Sequence, residues 1–444
     1  MKIGIIGGGL SGISLAYFLQ KNDRIDRIDI LEKENEPGGL CRSFKLNGLF
    51  HDIGPHIIFS RDRDVLDLMI NLLGDNQSKI KRSNKIYYKN KFIKYPFEND
   101  LFALPEDDRD YCLNTFLHNP HKNLNADNLL QFFLKTFGDG ITNIYLRPYN
   151  EKIWKYDLTL MDTLMADRIP QPPREDVIKG AAGASIEGYA HQLYFYYPQN
   201  GGINSLVKAF VNQLNDKVNL RVNHRVKSLQ MIDNKWKMET NSGFEGVYDL
   251  VVSTMPVQSL MEVYQSDIPR KIRISADRLK YNSIIITLIN VKKDNIGGNL
   301  AVMIPDKAII FHRVSKLNLL GSSYGTKDDS TNLMTEITYA KDSQIDKMNK
   351  REIEERIIEG LKVTGFIDNQ EDINFMDTKK FEFAYVIYDL GYKKNMSLIR
   401  NYFDSQGIQL CGRFGEFEYL NMDAVIRHAR DLSEKIEYSL KRAQ

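Results

Sequence analysis

Gly7, Gly9 and Gly12 stand in the spacing G-x-G-x-x-G, and an acid, Glu32, follows the last of them by twenty residues. Residues of these types at these distances can seat a dinucleotide. Gly7 permits a tight turn, Gly9 lets backbone approach a pyrophosphate, and Gly12 lets a helix pack closely on a strand. Leu10 and Ser11 open that helix, whose free N–H groups and positive dipole end face the phosphates. Glu32, with Lys33 beside it, can accept both hydroxyls of an unphosphorylated ribose. A second glycine pair, Gly38-Gly39, precedes Leu40 and Arg42. That segment offers a second stretch of backbone and a cation to a long diphosphate, which favours FAD over NAD.

The elements that must position these residues form a βαβ unit. Lys2-Ile3-Gly4-Ile5-Ile6 is a short buried strand, Ile13 to Leu19 an apolar helix, and Ile28-Asp29-Ile30-Leu31-Glu32 a second strand. Further strands are expected at 218–222, 226–229, 236–238 and 248–256. A last strand is expected from Ile408, followed by a helix from about Met422 to Ser439. The fold class expected is α/β: a discontinuous Rossmann-like FAD-binding domain with a helical insertion and an antiparallel β-sheet insertion. The cofactor domain takes residues 1–75, 200–262 and 398–444, the mainly helical lobe 95–195 and the β-sheet domain 265–395. Helical cues are Leu101 to Phe116, Leu129 to Phe137 and Leu158 to Ala166. Strand cues include 283–289, 300–304, 308–311 and 333–339. A sheet and a helical lobe set on a cofactor domain leave a cleft between them.

Composition narrows the partners. The chain has 444 residues, is 42% hydrophobic and 27% charged, and carries a formal net charge of +2. That balance gives no case for nucleic acid or acidic lipid. Basic runs such as Lys79-Ile80-Lys81-Arg82 read as solvated surface. No run of eighteen apolar residues exists, so no membrane insertion is expected. Cys41, Cys112 and Cys411 lack ligand spacing and fit a reducing compartment. The chain opens on the first strand without room for a signal peptide, so a cytoplasmic location is expected. His118 and His121 have no third ligand, so no metal site is expected.

Four segments are polar and aromatic where a core would be apolar: His51 to Phe59, Arg147 to Trp154, Ile309 to Arg313 and Gly412 to Asp423. Together with PGGL, YPFENDL, ADRIPQPP and YPQNGG, the stretches HDIGPHIIF, RPYNEKIW, FHRV and GRFGEFEYLNMD make the chain resemble the UDP-galactopyranose mutase family along nearly its whole length. The early glycine motifs are shared with amine oxidases and protoporphyrinogen oxidases, whose usual C-terminal flavin motif is absent.

The resemblance implies interconversion of the pyranose and furanose forms of a UDP-sugar, UDP-galactose first. It implies reduced FAD, attack of flavin N5 on the anomeric carbon with UDP as leaving group, and no net redox change. NAD(P)H or another external reductant would be needed, and homo-oligomers are common in the family. Arg168 and Arg313 fall where the family places its diphosphate arginines, and such forks suit phosphate oxygens. Tyr149, Trp154, Tyr385 and Tyr419 match the aromatics lining the sugar–phosphate site, and His56 the histidine beside the flavin. Arg413 matches the arginine near the flavin. The Met422 N–H opens the last helix, whose dipole can stabilise negative charge on a reduced flavin. Val226 would hold adenine, covered by Met255. Tyr194, Phe195 and Tyr196 are candidates for uridine stacking, with Phe195 taken first.

Departures bear on the substrate. Asn421 stands where many bacterial mutases have aspartate, and Tyr385 lacks the proline that commonly follows it. Each residue also has an ordinary alternative: an ion pair for the arginines, core packing for the rings, a backbone-bonded imidazole for His56. A redox flavoenzyme of the amine oxidase, porphyrinogen oxidase or desaturase type is the alternative for the whole chain.

Overall fold

A computed structural model describes residues 1–169, 171–187, 193–326 and 329–442, with the side chains of residues 167 and 168 left out. Its organising layer is a five-stranded parallel sheet. The spatial order is Ile408–Leu410, Leu250–Ser253, Lys2–Ile6, Arg27–Leu31 and Val218–Arg221, so segments from three distant parts of the chain lie side by side. Ile3, Ile5, Ile28, Ile30 and Val252 are fully buried, as strands covered on both faces must be. The helix Leu10–Leu19 packs against the last helix, Met422–Arg442, on one face. A three-stranded antiparallel sheet, Val226–Ile232, Lys235–Thr240 and Glu245–Tyr248, covers the other.

The second layer is a seven-stranded sheet, ordered Ile373–Ile387, Lys280–Val291, Thr331–Tyr339, Arg313–Lys316, Ala301–Met303, Asn84–Tyr88 and Lys91–Lys94. One pairing, Ala301–Met303 with Asn84–Tyr88, is parallel, and the rest are antiparallel. The two strands from 84–94 thus extend a sheet whose other strands lie two hundred residues downstream.

Three local expectations change. The run Leu101 to Phe116 divides at Pro105 into a short 3-10 turn, Leu101–Ala103, and a helix, Glu106–Leu117. Leu158 to Ala166 is not one helix but two 3-10 turns, Leu158–Leu160 and Thr163–Arg168. Asp157 and Asp162 accept the Thr159 and Leu164 N–H groups at 2.8 and 2.9 Å, starting each turn separately. The apolar run 308–311 is a turn rather than a strand. Asp306 accepts the Ala308 N–H, and the buried Lys152 ammonium donates to the Ile304 and Asp306 carbonyls at 2.9 and 2.6 Å. No helix among the described residues is long and apolar enough to cross a membrane.

Candidate active site

The two glycine segments meet. Gly38 N–H donates to Gly8 O at 2.8 Å, and a Cβ on Gly39 would lie 3.3 Å from Gly9 Cα. Gly7 has φ +106°, which only glycine adopts readily. Glu32 is buried, and its two carboxylate oxygens accept the Gly8 and Glu34 N–H groups at 2.7 and 2.8 Å. Arg42 donates to Gly39 O and pairs with Glu34 at 3.3 Å. From this bare backbone cradle a cavity of about 1130 Å³ runs toward the seven-stranded sheet. Ordinary small-molecule pockets span ~300–1,000 Å³, so there is room for a dinucleotide and a second ligand.

Gly7, Gly9, Leu10, Ser11, Glu32, Lys33, Gly39, Leu40, Arg42, Val226 and Met255 line the dinucleotide end. His56, Trp154, Arg313, Tyr385, Arg413, Tyr419, Asn421 and Met422 line the other. Gly12 lies behind the loop, where a Cβ would be 2.2 Å from Gly7 O. Two expected ring positions are off the wall. Tyr149 is buried and stacks on Tyr145 at 5.4 Å. Phe195 is fully buried in the strand Tyr194–Tyr197, because strand alternation turns it and Tyr197 into the core. Tyr194 faces outward, under the Lys79 ammonium at 5.0 Å. The side chain of Arg168 lies outside the described residues. Its neighbours Met165 and Ile169 line the cavity.

Trp154 meets Tyr385 and Tyr419 edge-to-face, and the two tyrosines are tilted to each other, with centroids 5.6–5.9 Å apart. The Arg413 guanidinium lies 4.4 Å from the Tyr419 centroid and 5.2 Å from that of Tyr385. Burial, then Tyr419, pushes the Tyr385 hydroxyl well above its usual range, so it stays a donor at neutral pH. Arg313 makes a two-point ion pair with Glu336, at 2.5 and 2.6 Å. The two residues face each other on adjacent strands, and Glu336 is fully buried. Burial works against the Arg313 charge, and Glu336 outweighs it, so the guanidinium is held fully protonated.

The His56 ring meets the Gly54 carbonyl through Nδ1 at 3.2 Å. A carbonyl only accepts, so Nδ1 carries the proton and Nε2 is left as an acceptor. Burial, then the Arg413 charge, lowers the His56 pKa to about 4. His51 is also brought to about 4, chiefly by burial, and His312 lies well below its ordinary value for the same first reason. Between pH 4 and 6.5 the unfolded chain therefore binds protons that the folded chain refuses, and stability rises with pH through that window. Asp52, raised to about 6 by burial, and His428, raised by its hydrogen bond with Glu416, act in the opposite sense and offset part of this. The expected result is a lower thermal midpoint at pH 5 than at pH 7, with a smaller difference in His56→Asn. Equal midpoints in the wild type would contradict the placement of these histidines.

Sequence reasoning missed two residues here, Arg82 at the cavity and Glu336 buried behind Arg313. Arg82 was expected on a solvated surface, yet its guanidinium borders the cavity, 5.4 Å from the Phe59 centroid. Strand alternation carries the signal: Lys79 and Lys81 are exposed, Ile80 and Arg82 turned inward. Glu336 was detectable as one acid in a strand buried at every position, which demands a partner.

The sequence profile described as "Flavin containing amine oxidoreductase" matches residues 10–383. The chain belongs to that family. Its members contain flavin, and the glycine cradle fits such a cofactor because it leaves no Cβ between Gly9 and Gly39. Among solved structures, a reduced UDP-galactopyranose mutase is similar with TM-score 0.86 and 23% identity, covering 98% of this chain and 95% of that one. A putrescine oxidase bound to putrescine is similar with TM-score 0.66 and 15% identity, covering 99% of both. Both likenesses concern the fold. Among curated proteins, coproporphyrinogen III oxidase of Staphylococcus aureus is 26% identical over 294 residues, 60% of this chain and 63% of the relative. Mouse renalase is 35% identical over 83 residues, 19% of this chain and 23% of renalase. The chain thus spans less than two thirds of either relative.

Proposed function

We propose that this chain interconverts the pyranose and furanose ring forms of a UDP-sugar, UDP-galactose being the first candidate, with reduced FAD and no net redox change. The observation that carries the reading is the far end of the cavity. Two arginines, Arg313 and Arg413, border the same space as a cluster of three aromatic rings, Trp154, Tyr385 and Tyr419. Fixed cations suit a departing diphosphate, because stabilising developing charge is usually the largest catalytic contribution. Amphipathic rings suit a sugar face and its hydroxyls. An amine or an apolar substrate has no use for that charge.

When bound, reduced flavin supplies a nucleophilic nitrogen toward the anomeric carbon. The protein's own groups do the rest. Arg313 holds diphosphate oxygens while Glu336 fixes its orientation, and Arg168 is the proposed second cation. Tyr385 and Tyr419 donate to the sugar–phosphate, and Trp154 walls off water. His56, neutral at pH 7, takes and returns a proton at Nε2. Met422 places the positive end of the last helix against the flavin site, and Asn421 selects among sugars. An external reductant, NAD(P)H or another, loads the electrons.

A porphyrinogen-oxidising reading is favoured by the Staphylococcus aureus relative, and propionates would also meet the arginines. One experiment separates the two. The dithionite-reduced protein is incubated with UDP-galactose and with UDP-N-acetylgalactosamine, and the aerobic protein with coproporphyrinogen III. A furanose product that requires reduced flavin is expected. No furanose from either sugar, together with porphyrin formation, would overturn the mutase reading.

A further inference from the structure

We propose that Arg82 is an oxyanion-binding residue of the cavity, holding a phosphate or carboxylate oxygen of the bound substrate. The proposal deepens the UDP-sugar reading and rests on it. The basic run Lys79 to Arg82 reads as surface, so Arg82 is unexpected there from the sequence. It directly follows the edge strand Ser78–Lys81, and alternation turns it inward beside Phe59.

Its charge is uncompensated. Nε and Nη2, the edge with which a guanidinium grips a carboxylate or phosphate side-on, are buried and make no hydrogen bond. No carboxylate pairs with Arg82 among the described residues. Arg313 differs: the same two nitrogens of that residue are spent on Glu336. Arg42 is likewise matched by Glu34. Burial, followed by Tyr95 acting in the opposite sense, shifts Arg82 to a lower pKa, and Arg313 adds to the lowering. Two like charges therefore act on each other across the cavity while only one has a fixed counter-charge. A guanidinium taken out of water without a partner is costly. An anionic group entering the cavity between Arg82 and Arg313 removes that cost, so the site selects for a ligand with an oxyanion at this place. Nε and Nη2 have almost no exposed surface, so gripping the oxyanion requires the guanidinium to turn beside Phe59 and present that edge to the cavity.

Flavin-loaded wild type, Arg82→Gln and Arg82→Lys are titrated with UDP-galactose, UDP-galacturonate and, as a probe without phosphate or carboxylate, uridine. Intact flavin absorbance and an unreduced thermal midpoint show that the variants fold. If phosphate is the group held, Kd for both sugar nucleotides rises about 10- to 100-fold in Arg82→Gln, recovers in part in Arg82→Lys, and stays level for uridine. If a sugar carboxylate is held, only UDP-galacturonate weakens. Changes below twofold for every ligand that the wild type binds would overturn the proposal. Should the wild type bind no uridine nucleotide at all, the UDP-sugar reading falls, and coproporphyrin III becomes the probe. Arg82 then stands or falls by whether that tetracarboxylate loses affinity in Arg82→Gln.

Discussion

Arg313→Ala is expected to cost the fold about 3–5 kcal/mol, the usual penalty for removing one partner of a buried ion pair. The reason is Glu336 rather than the cavity. Its carboxylate has no exposed surface, sits on a strand buried from Thr331 to Tyr339, and takes both its short contacts from Arg313. Alanine leaves that charge stranded. A loss of turnover in Arg313→Ala would therefore mix instability with chemistry. The double variant Arg313→Ala/Glu336→Gln separates them, since a neutral amide no longer needs a counter-ion. Its stability should return most of the way to wild type. Under the proposed reaction its kcat should still lie ~10²–10³ below wild type, the scale of one lost charge-stabilising group. Chemical denaturation and steady-state turnover of the single and double variants check both halves. An Arg313→Ala protein as stable as wild type would sink the ion-pair argument, and normal turnover in the double variant would sink the catalytic one.

The sequence makes some of this legible and hides the rest for identifiable reasons. The glycine motif is local: the turn at Gly7, the acid at Glu32 and the helix between them interact within one βαβ unit, so spacing alone places them. The arginine pairings are not local. Glu336 lies 23 residues beyond Arg313 and meets it only because Arg313–Lys316 and Thr331–Tyr339 pair in that register. Strand facing governs Phe195 and Arg82 alike. An aromatic triplet, Tyr194-Phe195-Tyr196, invites a stacking role until alternation buries its centre. A basic run invites a surface role until alternation turns its last member inward. The two strands at 84–94 escape because an edge pairing to Ala301–Met303 leaves no mark on either segment. The turn at 308–311 escapes because the stretch leading into it, Ile304 to Asp306, is pinned by a lysine about 150 residues away, Lys152.

Gly12→Ala is expected to strip the flavin while leaving most of the fold in place. Gly12 sits in the first turn of the helix Leu10–Leu19. A methyl group there would lie 2.2 Å from the Gly7 carbonyl oxygen and 3.1 Å from an Ile5 methyl. The first contact is with backbone, which cannot swing aside as a side chain can. Either the helix start or the loop must move, and both form the diphosphate seat. Overpacking of this kind costs ~1–3 kcal/mol. Drawn from the flavin-bound state, that is a rise in flavin Kd of about 5- to 150-fold, at tenfold per 1.4 kcal/mol. Gly9→Ala provides the contrast. Its Cβ would meet nothing nearer than Gly39 Cα at 3.9 Å, so the apoprotein should melt as wild type does. Any loss of flavin in that variant comes from the methyl occupying space meant for the ligand. Thermal melts of the apoproteins and flavin titrations of the holo forms distinguish the two mechanisms. Wild-type flavin affinity in both variants would mean that the diphosphate sits elsewhere.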